Sequence, residues 1–372
     1  MSRSSSLVHV GIDLGTSRSS ISTSQGKRHV IESYVGWPVD LVARKVLKRD
    51  VLIGREALDN RPMLDLHRPL EEGLVKEGSA KDVEAVRELL GHLLALAVPT
   101  PEPEPEDESA EASEEGEDGD EDASAKSKRK AAPSPYEVRA VVGVPAKALR
   151  VNKKQLRAAL EGMVDALMIV SEPFAVAYGL DSLLHTLVID LGAGTSDFCV
   201  MRGRLPTEDD QRTLTVAGDW LDEQLMTAIR EQNPEAQFTI HMVREWKEKR
   251  SFVGPPTDRV LVRVPVDGKP TQIDITDAMR NACEALVPPV VETMLDLISK
   301  VDPEYQEQVR QNVILTGGTG LIQGLGERLE AELEPVGGGR VRVVKDPIYV
   351  GSNGGLAIAQ DAPESDWHKL SG

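Results

Sequence analysis

Two copies of one short pattern, far apart in the sequence, constrain the fold of this chain more than any other feature. Each copy is an apolar run that ends in Asp, followed by a Gly-rich turn with hydroxyl side chains and a second apolar run. The copies are Val10-Gly11-Ile12-Asp13-Leu14-Gly15-Thr16-Ser17 and Val188-Ile189-Asp190-Leu191-Gly192-Ala193-Gly194-Thr195-Ser196. A strand can carry each Asp to its end, and the glycines let the backbone turn with its N–H groups inward, where they bind phosphate. Two such turns that face each other predict a nucleotide clamped between two lobes.

The two Asp residues are candidate magnesium-binding residues. An Asp at a strand end that faces phosphates can hold Mg²⁺ through a water, because Mg²⁺ keeps most of its water shell. Asp13 and Asp190 are predicted to do this from opposite sides. The residues predicted to bind phosphate are Gly15, Thr16, Ser17, Gly192, Gly194, Thr195 and Ser196. The alternative interpretation is a pair of structural hairpins in which each Asp accepts hydrogen bonds from local amides.

Glu172 is the candidate for the chemical step. It lies between the two Gly-rich turns in the sequence and begins a predicted helix, since Ser171 can cap it and Pro173 fits its first turn. A carboxylate there can orient or deprotonate an attacking water. The alternative is a carboxylate that only complements the helix N-terminus.

A third glycine turn follows a predicted strand at Ile314–Gly320. Without side chains at Gly317 and Gly318, a flat base and a ribose can approach the backbone closely. The sequence contains no Gly-Lys-Ser/Thr phosphate loop, which excludes a P-loop enzyme, and it also contains no His-Glu-x-x-His motif.

Composition limits the class of protein. The 372 residues are enough for roughly two domains. The net charge of −18 argues against sequence-independent binding to nucleic acid, which needs Lys and Arg on phosphates. Only Cys199 and Cys283 are present, and no apolar stretch approaches the ~20 residues that span a bilayer. A reduced, cytoplasmic protein with no direct membrane insertion is expected.

The segment Pro99–Pro135 differs in composition from the rest of the chain. It contains 13 acidic and 4 basic residues and a Pro-Glu alternation, so it is predicted to be a disordered insert. One interpretation is a solvated spacer between a helix and the next strand. The other is a docking or repulsive segment whose charge controls association.

The sequence also predicts the extent of two helices and the start of the last one. One is expected from Asn152 to about Leu167, and another from Ala278 to Lys300 with an interruption at Pro288-Pro289. The run Gly351-Ser352-Asn353-Gly354-Gly355 is expected to be a turn before the last helix.

The order of the motifs resembles the actin, DnaK-type chaperone and sugar-kinase superfamily. Two phosphate hairpins flank a helix with Glu, and an adenosine turn follows. Further stretches that support the resemblance are Ala217–Asp222, Trp246–Phe252, Val138–Pro145 and Gly351–Gly355. The resemblance implies that Gly218, Lys247 and Glu248 contact the nucleotide and that the cofactors are ATP and Mg²⁺.

Within the superfamily, the chain is similar to the MamK-like family of bacterial actin-like proteins, which form magnetosome filaments. The residues that carry this similarity are Val35–Pro38, Ala43–Leu47, Leu64–Leu70, Val170–Phe174 and Lys345–Pro347. In that family a Glu matching Glu172 and an Asp matching Asp190 are tied to ATP hydrolysis, so both are the implied catalytic residues. The acidic insert departs from the pattern of typical members.

The implied fold is actin-like: two α/β lobes, each with a mixed five-stranded sheet, around a central nucleotide cleft. Four subdomains are expected: Ia from residues 1–32, 75–178 and 346–372, Ib from 33–74, IIa from 179–217 and 275–345, and IIb from 218–274. The implied function is an ATPase that polymerises into cytoskeletal filaments, disassembles after hydrolysis and positions magnetosomes through adaptor proteins. The alternatives are a non-polymerising small-molecule kinase and a chaperone-like ATPase of the same fold.

Overall fold

The computed structural model describes residues 6–76, 80–98, 136–146 and 153–369, which form two lobes built around separate sheets. Lobe I has a six-stranded mixed sheet in the order β18-β10-β9-β1-β2-β3. Its strands are β1 (Ser6–Leu14), β2 (Arg18–Thr23), β3 (Arg28–Glu32), β9 (Tyr136–Val144), β10 (Ala166–Ser171) and β18 (His368–Lys369). The expectation of five strands was wrong for this lobe, because the two-residue β18 pairs antiparallel with β10 and extends the sheet.

Lobe II has the expected five-stranded sheet, in the order β13-β12-β11-β16-β17. Its strands are β11 (Leu184–Leu191), β12 (Ser196–Arg202), β13 (Gln211–Leu214), β16 (Val313–Thr316) and β17 (Val341–Val343). Strand β11 is antiparallel to β12 and parallel to β16, as β1 is antiparallel to β2 and parallel to β9 in lobe I. The two Asp-containing strands therefore occupy equivalent positions in the two sheets.

Smaller sheets extend each lobe. In lobe I, β4 (Val35–Pro38), β5 (Leu52–Ile53) and β6 (Leu64–His67) form the small sheet, and β7 (Leu70–Glu71) pairs with β8 (Leu74–Val75). In lobe II, β14 (Leu261–Val266) and β15 (Lys269–Asp274) form a hairpin. Except for Val75, the last residue of β8, these pieces lie within the sequence ranges predicted for subdomains Ib and IIb, whose boundaries stay a prediction.

Eleven α-helices lie in the described parts of the chain. They are α1 (Leu41–Leu47), α2 (Arg55–Asp59), α3 (Ala80–Ala97), α4 (Lys153–Leu160), α5 (Glu172–Gly179), α6 (Gly218–Gln232), α7 (Ile240–Arg250), α8 (Thr276–Ser299), α9 (Pro303–Arg310), α10 (Leu325–Leu333) and α11 (Val350–Asp361). Short 3₁₀ helices occur at Arg61–Met63, Glu208–Asp210, Thr319–Leu321, Glu334–Val336 and Glu364–Asp366. None of the helices described here is long and apolar enough to cross a membrane.

Each lobe has its own apolar core, and a third cluster joins them. That cluster contains Val141 from the lobe I sheet, Val188 and Ile314 from the lobe II sheet, and residues of α5 and α11. Because α5 packs against strands of both sheets and α11 packs against α5 and the lobe I sheet, the two helices help to hold the lobes together. The same packing carries Glu172, the first residue of α5, to the junction of the lobes.

The glycine run at Gly351–Gly355 lies inside α11 rather than in a turn before it, so that expectation was wrong. The small residues serve packing: a Cβ on Gly354 would lie 1.8 Å from the carbonyl oxygen of Ala175 in α5. The Ser352 hydroxyl bonds those of Ser20 and Ser22 in β2. Close helix contact, rather than a chain reversal, is what these residues permit.

Two other predicted helices differ in extent. Helix α8 runs from Thr276 to Ser299 through Pro288 and Pro289 without interruption. Its neighbours Leu286, Val287 and Val290 are fully buried, and burial at about 1.5–3 kcal/mol per side chain offsets the hydrogen bonds that proline removes. Helix α4 ends at Leu160, well before Leu167, because Gly162 adopts φ +76° and terminates the helix. Asn152 and the acidic insert Pro99–Pro135 lie outside the described residues.

A candidate nucleotide site between the two lobes

The two Gly-rich turns face each other across the interface between the lobes. The first connects β1 to β2, and the second connects β11 to β12. They approach so closely that a Cβ on Gly194 would lie 2.5 Å from Oγ1 of Thr16. Only glycine fits at this contact, so the predicted opposition of the two turns is confirmed.

A cavity of about 340 Å³ opens between these turns and is lined by both lobes. This volume lies in the range of small-molecule and cofactor sites. The predicted site residues that line it are Asp13, Gly15, Thr16, Ser17, Glu172, Asp190, Gly192, Gly194, Thr195, Lys247, Glu248, Gly317 and Gly318. Residues from five separate stretches of sequence therefore converge on one cavity.

Two predicted site residues do not line the cavity. The Ser196 hydroxyl is buried and donates a 2.7 Å hydrogen bond to the carbonyl of Val216. Gly218 is the first residue of α6. Its N–H donates a hydrogen bond to the carbonyl of Gly192, and its own carbonyl accepts one from Lys247. The structure therefore places Ser196 and Gly218 behind the second turn, where they support it.

Glu172 is half-buried at the N-terminus of α5, and its Oε1 atom, which is buried, has no hydrogen-bond partner among the described residues. Burial raises the pKa of this carboxyl well above its ordinary value, and the charges of Asp13, Asp197 and Asp190 raise it further. A carboxylate that only capped its own helix would have a lowered pKa. The arrangement therefore differs from that of an ordinary helix-capping acid.

Glu172, Asp13, Asp190 and Asp197 form what we call the carboxylate cluster. Burial raises the pKa of Asp13 to about 7, and burial, followed by the charges of Asp13 and Asp197, raises that of Asp190. No cationic side chain contributes to these shifts. Acids that are at least half-buried and lack a basic partner are groups that a bound cation would stabilise.

The cluster suits a cation held through water. In the part of the chain that the structure describes, no group of three His, Cys, Asp or Glu side chains could hold a metal ion. Mg²⁺ is commonly bound by one or two carboxylates together with phosphate oxygens and waters. The orphaned Oε1 of Glu172, a residue that lines the cavity, can accept a hydrogen bond from such a water.

Sequence reasoning missed Asp197, which is the cross-strand partner of Asp190 in the β11–β12 pair. It is 1% exposed and accepts hydrogen bonds from Thr213 at 2.5 Å and from the backbone N–H of Ala146 in lobe I at 3.1 Å. Burial raises its pKa. An acidic residue in the interior of an apolar strand was the signal that could have identified it.

The third glycine turn reaches the same cavity. Gly317 has φ +83°, and a Cβ there would lie 2.5 Å from Oδ1 of Asp190. Gly318 has open space where a side chain would be. The cavity wall nearby includes the apolar residues Leu321, Ile322 and Ile348, whose scattered sequence positions carried no motif. An apolar wall beside an open backbone suits a flat ring.

Lys247 and Glu248 lie on α7, at the opposite wall from lobe I. The Lys247 ammonium lies 2.7 Å from the buried carboxylate of Asp222. Glu248 forms a 3.2 Å ion pair with Arg18 of lobe I, in which both side chains are more than 40% exposed. Both residues line the cavity, and their contact with a nucleoside stays a prediction.

Two lobes, each with a Gly-rich hairpin after an Asp-bearing strand, around one shared cavity, define an actin-like fold. A family model described as MreB/Mbl protein matches residues 124–365, which is more than half of the chain. The chain belongs to the MreB/Mbl family of actin-like proteins, as the resemblance to bacterial actins predicted.

Individual relatives extend the match to nearly the whole chain. The actin-like protein MamK of Paramagnetospirillum magneticum is 37% identical over 97% of this chain and 94% of its own length. MamK of Magnetospirillum gryphiswaldense is also 37% identical, over 97% of this chain and 91% of its own. The predicted similarity to MamK is confirmed.

Solved structures agree with the fold. The MamK double helical filament superposes with a TM-score of 0.85 at 37% identity, covering 96% of this chain and 100% of the other. A non-polymerising MamK mutant bound to AMPPNP gives a TM-score of 0.68 at 36% identity, with the same coverage. The actin-like fold expected from the sequence is confirmed.

Proposed function

We propose that this chain is an ATP-dependent, filament-forming actin-like protein of the bacterial cytoskeleton. The observation that carries the proposal is the 37% identity with MamK over 97% of the chain, joined to the superposition on a MamK filament subunit. The shared cavity between two phosphate hairpins supports the nucleotide part of the proposal. The name MamK supports a role in positioning magnetosomes, and adaptor proteins that bind the filament are proposed as the link to them.

ATP is the proposed nucleotide, because AMPPNP, an ATP analogue, occupies a relative of the same fold. The turn residues Gly15, Thr16, Gly194 and Thr195 would hold its phosphates from both lobes. Asp13 and Asp190 would hold Mg²⁺ through waters, and the ion would neutralise phosphate charge when bound.

Glu172 is the proposed base for ATP hydrolysis, with Asp190 as the second catalytic residue. Its orphaned Oε1 can accept a hydrogen bond from an attacking water. In the nucleotide-free chain its raised pKa favours the neutral acid, and positive charge near the cluster would favour the ionised base.

Exposed apolar side chains on α1 support self-association. Leu41 is 83% exposed and Val42 is 70% exposed, and both follow the exposed Val39. Contiguous exposed apolar residues of this kind mark interaction sites. Leu41→Glu with Val42→Glu should abolish sedimentation of filaments and leave nucleotide binding in the distant cavity intact.

Filament formation is tested by high-speed sedimentation with negative-stain microscopy, using ATP-Mg²⁺, ADP or no nucleotide. Filaments that depend on ATP-Mg²⁺ and disassemble as phosphate is released are the expected result. A chain that hydrolyses ATP but stays monomeric at micromolar concentrations and varied salt would instead favour the kinase or chaperone alternative. Deleting residues 100–132 in the same assay tests whether the acidic insert regulates assembly.

A further inference from the structure

A network of charged side chains joins the lobes outside the carboxylate cluster. Its members in lobe I are Tyr34, which precedes β4, and Arg68, which follows β6. Its members in lobe II are Asp219 and Asp222 on α6 and Arg244 on α7. No part of nucleotide binding or hydrolysis as proposed above uses Tyr34 or Arg68.

Arg68 uses all three of its guanidinium nitrogens within the protein. Its Nε donates to the carbonyl of Thr16 at 2.8 Å, and its Nη1 and Nη2 lie 2.8 and 3.1 Å from the two carboxylate oxygens of Asp219. A bidentate pair of this kind is among the stronger polar contacts in proteins. The side chain is 20% exposed, so water competes with it only weakly.

Arg244 is engaged equally fully from the other lobe. Its Nε donates to Asp222 at 2.9 Å, its Nη2 to Asp219 at 2.9 Å, and its Nη1 crosses to the hydroxyl of Tyr34 at 2.7 Å. Asp219 is therefore shared by an arginine from each lobe. Asp222 is 1% exposed and also binds Lys247, so the lobe II side of the network is anchored in the interior.

The network also touches both phosphate hairpins. Thr16, whose carbonyl binds Arg68, belongs to the first turn. The N–H of Asp219 donates at 2.7 Å to the carbonyl of Ala193 in the second turn. One arginine thus connects the backbone of the first hairpin to the residue that supports the second.

We propose that Tyr34, Arg68, Asp219, Asp222 and Arg244 form an interlobe latch, which holds the lobes closed and ties that closure to the relative position of the two phosphate hairpins. The two arginines act as positioning residues, because every guanidinium nitrogen of each already contacts an oxygen of the protein. The effect of ATP on the latch rests on the proposed function, whereas the closure itself does not. Separation of the lobes would break the Arg68–Asp219 pair and the Arg244–Tyr34 bond together.

Distances between spin labels, measured by pulsed electron resonance, test the latch in the full chain. The labels are placed by Asp59→Cys on α2 and Glu235→Cys beyond α6, both exposed and on opposite lobes. The native Cys199 and Cys283 are at most 1% exposed, and burial raises the pKa of both thiols, so they resist labelling. Measurements are made first without nucleotide and then with ATP-Mg²⁺.

Without nucleotide, Arg68→Ala should raise the population of long, open distances by roughly fivefold or more, as expected for coupling between parts of a protein. Tyr34→Phe removes only the hydroxyl that bonds Arg244 and should shift the distances in the same direction by a smaller amount. The matched control is Arg49→Ala, which breaks an exposed pair with Glu56 inside lobe I and should leave the distances unchanged.

Wild-type distances in both Arg68→Ala and Tyr34→Phe would overturn the latch, and thermal melting of each variant establishes that it is folded. Addition of ATP-Mg²⁺ should return part of the open Arg68→Ala population to the closed distances. A wild-type chain that ignores ATP-Mg²⁺ and forms no filaments would refute the proposed function, while the nucleotide-free comparison still decides the latch.

Discussion

The carboxylate cluster and the latch both bring charged groups of the two lobes together, but they balance those charges differently. In the cluster, Asp13 and Glu172 from lobe I meet Asp190 and Asp197 from lobe II with no basic side chain among the causes of their pKa shifts. In the latch, each carboxylate binds an arginine or lysine. Buried like charges destabilise a fold until a ligand neutralises them, whereas paired charges stabilise it unaided. The charges of the cluster are therefore balanced only when a ligand is bound, whereas those of the latch are balanced by the closed arrangement of the lobes.

The largest expected effect comes from Glu172→Gln, which removes the proposed base but keeps the volume of the side chain. ATP hydrolysis should fall by roughly 10²–10⁴-fold, the usual contribution of a general base, while filaments still form and persist longer. Phosphate release and sedimentation measure the two effects. Glu161→Gln, at an exposed position, is the control, and a normal hydrolysis rate in Glu172→Gln would remove Glu172 from the mechanism.

Asp190→Asn tests whether the cluster holds Mg²⁺ through water. A lost outer ligand typically weakens metal affinity by about 10–100-fold, so the Mg²⁺ concentration needed for ATP binding should rise by that factor. Titration of Mg²⁺ at fixed ATP measures it, with Asp209→Asn on the surface of lobe II as the control. An unchanged Mg²⁺ requirement would place the ion away from Asp190.

The cluster also predicts how stability depends on pH without nucleotide or metal. Because burial raises the pKa of Asp13 from 3.8 to about 7, the folded chain binds more protons there than the unfolded chain between these values. The free energy of unfolding should therefore fall as pH rises through this window, by about 1.4 kcal/mol per pH unit for this group.

Urea unfolding in EDTA at several pH values measures that slope, and Asp13→Asn should reduce it. Asp59→Asn, at an exposed site, should leave the slope as it is. If Asp13→Asn preserves the full slope, Asp13 is not the group that makes the free energy of unfolding depend on pH in this window.

The smallest effect is expected for Arg18→Ala. This variant compares an exposed ion pair between the lobes with the less exposed pairs of the latch. The Arg18–Glu248 pair spans the cavity, but both side chains are over 40% exposed, and such pairs are worth about 0–1 kcal/mol. The distance distribution of the spin labels should stay close to that of the wild type. If Arg18→Ala raised the population of open distances as much as Arg68→Ala, solvent exposure would not predict how strongly a contact holds the lobes closed.

Sequence motifs located most of the cavity because each motif is local. A strand ending in Asp and a glycine turn are adjacent in the chain, so Asp13, Asp190, Gly317 and their neighbours could be identified before the lobes were known to meet. Ser196 shows the limit of this reasoning. A hydroxyl in the right turn can still point to Val216, because alternate residues of a strand face opposite sides of the sheet.

Local rules also misjudged residues whose role depends on packing. The glycine run at Gly351–Gly355 looks like a turn, but it lies in α11 because the helix must pass against β1 and α5. Pro288 and Pro289 signal a helix break, yet α8 continues because its apolar neighbours are buried on both sides of them. In both cases tertiary burial outweighed the backbone preference.

The sequence by itself determined the class of fold, the family and the two Gly-rich hairpins, because periodicity, glycine turns and strand-end acids are properties of neighbouring residues. Tertiary structure alone decided which charges are paired. Arg68 and Asp219, or Arg244 and Tyr34, are separated by at least 150 residues and carry no shared motif. Whether an acid at the junction of the lobes meets an arginine or another acid depends on how the two lobes close on each other, and only the folded chain contains that information.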